Sequence, residues 1–297
     1  MPTTKPSVPP RALVLLLIVT FVWGTSWPLF PMAMREFSVW TFRTLSLSSG
    51  GMLMLVVARL RGESLRIPRE FWPEMVLTSL CYLVVWNIAS AMATLLIPSG
   101  QTAVLGFTMP LWSVLISWLF LREPISPRLW CAVMFGGASV SLLIIPGIAT
   151  YTQAPLGFGL GLLGGLGWAI GTLIMKRRPV PTSPLVATGW QILIASIPIS
   201  VVALILGDGQ WFVPSTQTII IIAYITVVPL CIGNLCWFSI VRALPANLAG
   251  LSMIMVPVLA MITGALVLHE PLGPLEVGAI FCSVAALALV VFRPASR

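Results

Sequence analysis

The chain has 297 residues, of which 58% are hydrophobic and only 8% are charged, and its net charge is +8. Because a soluble globular domain carries about a quarter charged residues, this composition excludes a domain whose whole surface is solvated by water. The basic residues stand in short clusters between apolar runs, which is typical of the loops of membrane proteins and argues against nucleic-acid binding.

The chain consists of successive apolar runs with few or no charged residues, separated by charged residues and Pro/Gly clusters. A helix that crosses a bilayer needs about 20 mostly apolar residues, so the runs predict an all-α polytopic membrane protein with ten transmembrane helices. In chain order, the predicted spans are 12–33, 38–58, 74–94, 100–121, 128–146, 156–175, 184–206, 217–240, 247–268 and 274–292. The first has no small-residue cleavage site, so we expect a retained helix and not a signal peptide.

Lysine and arginine residues are unevenly distributed between the alternate loops of these ten spans. With the N-terminus inside, 14 of the 16 lie on the cytoplasmic side, whereas Arg35 lies in an outer loop and Arg43 lies within the second span. The positive-inside rule therefore predicts that both termini are cytoplasmic.

Two nearly identical phrases, LREPISP at 121–127 and LHEPLGP at 268–274, lie 147 residues apart. We interpret them as part of a duplication, with one five-helix repeat at 1–148 and a second at 149–297. Because five is odd, the second repeat must insert upside down relative to the first. Inverted repeats in transporters enclose a substrate site near the membrane midplane, so we expect a central cavity between the two halves.

The inverted arrangement also bears on the one residue that differs in charge between the two phrases. It assigns Arg122 to the cytoplasmic face and His269 to the outer face, in agreement with the positive-inside rule. As the only histidine of the chain, His269 is a candidate for pH sensitivity of an outer gate.

The 147-residue offset aligns further residues within the predicted spans. Asn87 aligns with Asn234, and these are two of the three asparagines in the chain. Their matching positions favour a common role, either substrate contact or helix–helix hydrogen bonding. Pro110 aligns with Pro257, and because a proline within a helix frees a backbone carbonyl and kinks the helix, this pair is predicted to form hinge or gating points.

Aromatic residues fall near the middle of several predicted spans, and the chain has 12 tryptophans. Rings from several spans suit a large apolar substrate, although tryptophans at this depth also pack between helices or face lipid. The aromatic candidates for substrate binding are Trp23, Tyr82, Trp86, Phe107, Trp112, Trp168 and Trp237. Together with Arg43, Asn87 and Asn234, they form the predicted substrate site.

Charged residues within the spans are few. Arg43 either reaches the outer interface or pairs with Glu36, or it attracts the carboxylate of a substrate. No Asp, Glu, Lys or His lies at the centre of a predicted span, whereas ion-coupled pumps usually bury a titratable relay in the membrane. We therefore expect facilitated transport, unless coupling uses groups at the rim such as His269 with Glu270 or Glu276.

The sequence resembles a known family of transporters. The five-plus-five spans, the Glu-Pro turn after spans four and nine, the Trp23–Gly24 pair and Arg43 are similar to the EamA family of the drug/metabolite transporter superfamily. The Trp-rich spans look most like the YddG-type bacterial exporters of aromatic amino acids. The resemblance implies a ten-helix basket around a central cavity, working by alternating access in the bacterial inner membrane.

This resemblance implies export of aromatic or large hydrophobic amino acids from the cytoplasm, with an EamA-type exporter of another small metabolite or drug as the alternative. An intramembrane enzyme would need a nucleophile with a base, or paired carboxylates, at one depth, and the spans contain neither, so we do not expect an enzyme. No cofactor or metal is expected. The expected partners are a small-molecule substrate and the lipid bilayer, and the protein is expected to be a monomer.

Overall fold

The computed structural model describes residues 10–121, 126–145, 148–206, 213–244, 255–269 and 273–291, together with Ala249 and Met253. Regular secondary structure in these residues is helical throughout. The α-helices are α1 (Pro10–Gly24), α2 (Leu29–Ala33), α3 (Val39–Leu60), α4 (Trp72–Thr78), α5 (Val85–Leu96), α6 (Ser99–Gly106), α7 (Met109–Leu121), α8 (Pro127–Ile144), α9 (Ile148–Gln153), α10 (Pro155–Arg177), α11 (Pro184–Leu206), α12 (Thr216–Ile225), α13 (Asn234–Ala243), α14 (Met255–Leu268) and α15 (Pro274–Val291). A 3₁₀-helix at Arg69–Phe71 precedes α4.

Several helical segments have the length and composition of membrane spans. Among the described residues, six are long and apolar enough to cross a bilayer, namely Val39–Leu60, Arg69–Leu96, Gln101–Leu119, Pro155–Arg177, Pro184–Leu206 and Thr216–Ala243. Shorter apolar helices lie at Pro10–Gly24, Met255–Val267 and Val277–Ala286. The prediction of an all-helical membrane protein is confirmed for the described residues, whereas the number of ten spans stays a prediction.

The first predicted span, 12–33, is interrupted between α1 and α2. Pro28 precedes α2 and has no backbone N–H to donate. In the segment between the two helices, the hydroxyl of Thr25 donates to the carbonyl of Phe21 at 2.8 Å.

At the end of α1, a Cβ atom on Gly24 would lie 2.6 Å from Cβ of Leu259. Helices α1 and α14 therefore approach this closely because residue 24 has no side chain.

Helix packing follows the 147-residue offset found in the sequence. Helix α8 packs against α15, and their ranges, 127–144 and 274–291, differ by 147 residues at both ends. Helix α3 likewise packs against α11, its counterpart after the same shift. The contact of α5 with α10 is repeated by that of α13 with α1. The contacts between the two halves are therefore related by the same 147-residue shift, while the boundary at 148/149 stays a prediction.

Small residues allow the two central helix pairs to approach closely. A Cβ atom on Gly51 would lie 2.8 Å from the backbone nitrogen of Leu193, so α3 and α11 touch backbone to backbone. Between α8 and α15, the hydroxyls of Ser139 and Ser283 lie 2.7 Å apart. Close approach of small residues and hydroxyl hydrogen bonds are the usual means by which helices associate in lipid, where the hydrophobic effect gives no drive for association.

Two π-helices occupy matching positions in the two halves. Ser79–Val84 joins α4 to α5, and Thr226–Gly233, which begins 147 residues later, joins α12 to α13. π-Helical turns are rare and often occur at functional sites. Neither π-helix was predicted from the sequence.

The predicted turns and hinge prolines are only partly described. The residues Arg122 and Glu270 of the two Glu-Pro turns lie outside the described residues, while His269 is exposed and has a positive φ of 55° at the end of α14. Pro110 and Pro257 lie in the first turns of α7 and α14. Pro110 follows directly on the break between α6 and α7, where its missing N–H removes no hydrogen bond of α7, and the role of both prolines as hinges stays a prediction.

Candidate functional site

A cavity lies between the two halves, bordered by α1, α3, α10 and the two helical segments that contain the π-helices. Its volume is about 50 Å³, so the walls lie close together. Eight of the ten predicted substrate residues line it, namely Trp23, Arg43, Tyr82, Trp86, Asn87, Phe107, Trp168 and Asn234. The fold therefore brings these residues together, while their role in binding stays a prediction.

Trp168 of α10 lies at the centre of the aromatic lining and is only 1% exposed. Its indole stacks on the ring of Tyr82, with an interplanar angle of 12° and 5.7 Å between centroids. The ring centroids of Trp23, Trp86 and Phe107 lie 5.3, 4.8 and 5.3 Å from that of Trp168, in tilted or edge-on orientations. Such geometries are favourable for aromatic pairs. The cavity therefore has a continuous aromatic wall.

Glycines in α10 bring Trp168 against the first π-helix. A Cβ atom on Gly167 would lie 2.5 Å from the main-chain oxygen of Cys81, and one on Gly171 would lie 2.6 Å from Cβ of Tyr82. Real Cβ atoms do not approach other atoms this closely, so any side chain at these two positions would push the helices apart. The glycine-rich sequence of the sixth predicted span therefore sets the depth at which Trp168 enters the cavity.

Trp23 of α1 connects the first half to the second π-helix. Its indole N–H donates to the main-chain oxygen of Pro229 at 2.8 Å. The same ring lies over Gly233, where a Cβ atom would be only 2.2 Å from the indole nitrogen. The orientation of Trp23 therefore depends on the backbone of the π-helix and on the absence of a side chain at residue 233.

Arg43 of α3 lies inside the protein, with 4% of its surface exposed, and lines the cavity. Its Nε donates to the main-chain oxygen of Asn87 at 3.1 Å, and its guanidinium carbon lies 4.7 Å from the ring centroids of both Phe30 and Phe42. Among the described residues, no carboxylate forms an ion pair with it. Arg43 therefore does not pair with Glu36 in this structure, because its side chain points inward to Asn87.

Asn87 and Asn234 have matching environments. Each side-chain amide donates to the carbonyl of the leucine four residues earlier, Leu83 at 2.7 Å and Leu230 at 2.8 Å. The oxygen of Asn234 also accepts a 2.7 Å hydrogen bond from the hydroxyl of Tyr82. Both asparagine side chains thus donate to a carbonyl of their own helical segment, and Asn234 also accepts a hydrogen bond from the other half.

Two predicted substrate residues do not line the cavity. The indole N–H of Trp112 donates to the hydroxyl of Thr108 on its own chain segment at 3.1 Å, and the ring packs against the core. Trp237 is fully buried behind Trp23 and Trp168, with centroid distances of 6.2 and 5.3 Å. Neither residue therefore lines the cavity in this arrangement, while a role of either in substrate binding stays a prediction.

Seven further residues line the cavity without having been predicted, namely Ser26, Trp27, Phe30, Leu83, Ile225, Pro229 and Leu230. Trp27 follows Trp23 by four positions, the spacing that places two side chains on one helix face, so the sequence contained a signal for it. The aliphatic residues have no such signal, because they are of the commonest residue types in every span.

Charge at the cavity comes from Arg43 alone among the described lining residues. Within the described part of the chain, no group of three or more His, Cys, Asp or Glu side chains is placed to hold a metal ion. The cavity therefore offers a bound molecule one cation, two amide groups and a wall of aromatic rings.

Polar contacts also join the two halves away from the cavity. The carboxylate of Glu36 accepts hydrogen bonds from the main-chain N–H of Ser215 at 2.8 Å and from the hydroxyls of Ser215 and Thr218. These bonds lower the pKa of Glu36, and the side-chain bond from Ser215 contributes most. Glu63 accepts a hydrogen bond from Ser183, which precedes α11. Both acids therefore contact serines that begin helices of the other half.

Comparison with known proteins identifies relatives over nearly the whole chain. The profile of the EamA-like transporter family matches residues 10–145 and again residues 155–292. The chain is 25% identical to the uncharacterized transporter YvbV of Bacillus subtilis, over 94% of this chain and 91% of that protein. It is 24% identical to the uncharacterized inner membrane transporter YedA of Escherichia coli K12, over 93% and 89% respectively. A solved crystal structure with 18% identity shares the fold, with a TM-score of 0.76 over 94% of this chain and 96% of the other.

Proposed function

The chain belongs to the EamA-like transporter family, and we propose that it exports aromatic or other large hydrophobic amino acids from a bacterial cytoplasm. The relatives YvbV and YedA are described as uncharacterized transporters, so they support transport as the class of function and name no substrate. The choice of substrate therefore depends on the chemistry of the cavity.

The observation that carries the proposal is a buried cation beside an aromatic wall. Arg43 lines the cavity without an ion-pair partner among the described residues, and a buried charge is costly unless it is paired. The carboxylate of an amino acid would supply the missing charge. The rings around Trp168 would supply stacking partners for an aromatic side chain, worth about 0.5–1.5 kcal/mol per pair beyond burial.

The proposed mode of transport is facilitated export by alternating access. Among the described lining residues, none has a side chain that ordinarily titrates near neutral pH, and arginine is protonated there. Transporters coupled to protons usually carry such a group within the membrane. Two repeats that share a cavity suit rocking of one half against the other, which would open the cavity to each face in turn.

An exporter of another small metabolite or drug is the alternative within the same family. A cationic drug is disfavoured by Arg43, because like charges repel strongly at a site shielded from water. An anionic aromatic metabolite that lacks an amino group would satisfy the same cation and the same rings. Amino acids and such anions therefore differ in whether the cavity also recognises an amino group.

A substrate panel tests the proposal. Cells that overexpress the protein should become resistant to toxic aromatic amino-acid analogues, and purified protein in vesicles should exchange L-tryptophan and L-phenylalanine faster than L-serine. The matched control is Trp130→Phe, which changes an exposed tryptophan outside the cavity and should leave the preference unchanged. Equal exchange of all amino acids, or exchange of none, would contradict the proposal.

A further inference from the structure

The two matching asparagines differ in the partners of their oxygen atoms. Asn234 accepts a hydrogen bond from Tyr82 of the first half at 2.7 Å. The residue that corresponds to Tyr82 after the 147-residue shift is Pro229, which has no hydroxyl to donate. The side-chain oxygen of Asn87 receives no hydrogen bond from the described residues, although its amide nitrogen is bonded in the same way as that of Asn234.

The free atom of Asn87 is its oxygen because the other end of the amide is already engaged. The amide nitrogen donates to the carbonyl of Leu83 at 2.7 Å, and only the N–H₂ group of an asparagine can donate. This bond fixes the orientation of the amide. Asn87 lines the cavity, so its side-chain oxygen is an acceptor available to a molecule that enters the cavity.

A cation is bonded to the backbone of the same residue. Arg43 donates its Nε–H to the main-chain oxygen of Asn87 at 3.1 Å, and the rings of Phe30 and Phe42 flank the guanidinium at 4.7 Å. A guanidinium has five N–H donors in a planar fork, and one of those of Arg43 is used in this way. The remaining donors have no acceptor among the described residues, and their fork matches the geometry of a carboxylate.

We infer that Arg43 and Asn87 together recognise the head group of a zwitterionic α-amino acid. The guanidinium of Arg43 binds the carboxylate, and the side-chain oxygen of Asn87 accepts a hydrogen bond from the α-ammonium group. An α-amino acid carries both groups on one carbon atom, which suits a cation and an acceptor held on neighbouring residues. This inference rests on the proposed function and extends it, because it separates amino acids from aromatic anions and from aromatic amines.

The test is competition binding on the purified full-length protein with three indole compounds. L-Tryptophan has both charged groups, indole-3-propionate lacks the ammonium group and tryptamine lacks the carboxylate. In the wild type, each of the two simpler compounds should bind at least about tenfold more weakly than L-tryptophan, because each forgoes a hydrogen bond with a charged group. Tryptamine should be the weakest, because its ammonium group meets the Arg43 guanidinium without a carboxylate between them.

Two pairs of variants assign the two roles. Asn87→Leu should abolish the preference for L-tryptophan over indole-3-propionate, and Asn87→Asp, which keeps an acceptor oxygen, should retain it. Arg43→Gln should abolish the preference over tryptamine, whereas Arg43→Lys should retain part of it. Trp130→Phe, at an exposed tryptophan outside the cavity, is the control and should leave both preference ratios unchanged.

The outcomes separate this inference from the proposed function. If the wild type binds the three indole compounds equally, the head-group inference is overturned, while aromatic recognition stands. If L-serine and L-leucine bind as tightly as L-tryptophan, the aromatic preference fails, and the comparison of L-leucine with 4-methylpentanoate then supports or overturns the head-group inference. If no amino acid binds, both are overturned. Because the wild-type ratios alone decide these cases, a variant that fails to fold does not remove the test.

Discussion

The hydroxyl of Tyr82 donates a 2.7 Å hydrogen bond to the side-chain oxygen of Asn234, and this bond joins the two halves of the chain at the cavity wall. It links one π-helical segment, Ser79–Val84, to the residue that follows the other. Both side chains are buried, so neither can replace the lost partner with bulk water. The bond is therefore expected to contribute to stability as well as to the shape of the cavity.

Tyr82→Phe should lower the free energy of unfolding by about 1–3 kcal/mol, because it leaves the oxygen of Asn234 without its donor. The phenyl ring still stacks on Trp168, so packing is largely kept. Thermal unfolding in detergent measures the change. Tyr224→Phe is the control, since Tyr224 lies on the surface of α12. A loss of the same size in both variants would contradict a specific role for the Tyr82 hydrogen bond.

Gly171→Ala should destabilise the protein by about 1–3 kcal/mol, because the added Cβ would lie 2.6 Å from Cβ of Tyr82 and would force α10 away from the first π-helix. Gly159→Ala in the same helix is the matched control, since a Cβ atom there would meet nothing within 4 Å and alanine favours the helix by about 1 kcal/mol. Unfolding midpoints should move in opposite directions. A decrease of equal size in both variants would show that close packing at Gly171 is not the cause.

Trp168→Leu should slow exchange of L-tryptophan by about tenfold, because it removes the ring at the centre of the aromatic wall. Trp112→Leu should slow exchange much less, because Trp112 lies outside the cavity and bonds to Thr108. Exchange rates are compared per amount of folded protein in the vesicles. If the two variants lose the same fraction of activity, the aromatic wall is not the substrate site.

The contrast between Trp168 and Trp112 illustrates what the sequence can predict. Both residues fall near the middle of predicted spans, and depth in the membrane follows from counting residues along an apolar run. Which of them faces the cavity depends on the rotation of each helix about its axis. A span that is apolar on all faces carries little information on rotation, since lipid and protein core select similar side chains. The depth of these rings could therefore be predicted, whereas their direction could not.

Other features also divide into those that the sequence predicts and those that depend on tertiary contacts. The 147-residue offset, visible in Asn87 and Asn234, predicted the pairing of the halves that the helix contacts follow. The π-helices could not be predicted, because one extra residue in a turn leaves no mark in a uniformly apolar segment. The sequence alone left open whether Arg43 pairs with Glu36 or lies in the substrate site. Its direction is settled by the flanking rings of Phe30 and Phe42, and these contacts are tertiary.

Glu36 should make stability depend on pH in the acidic range. Its pKa lies below the ordinary value of 4.5, mainly because the Ser215 hydroxyl donates to the carboxylate, followed by the Ser215 main-chain N–H and the Thr218 hydroxyl. A group whose pKa is lowered by folding adds stability that is fully present above the unfolded pKa. This stability is lost as the pH falls from about 4.5 through the lower folded value. Thermal midpoints between pH 6 and pH 3 measure it.

The matched variant for this pH dependence is Glu36→Gln, which keeps the size of the side chain and removes its titration. The variant should lose less stability than the wild type over the acidic interval, although it is less stable above it. Ser215→Ala should act in the same direction, because it removes the hydrogen bond that lowers the pKa most. Wild type and Glu36→Gln profiles of the same shape would rule out a contribution from this contact.

Counterflow of labelled L-tryptophan in vesicles, with equal pH on both sides and no membrane voltage, tests the central claim most directly. We expect wild-type protein to accumulate the label transiently when unlabelled L-tryptophan is inside, without any ion gradient. Arg43→Gln should exchange the label at least about tenfold more slowly, because the buried guanidinium no longer meets the carboxylate. Equal rates in the two proteins, or no accumulation of L-tryptophan by the wild type, would contradict export of amino acids through this cavity.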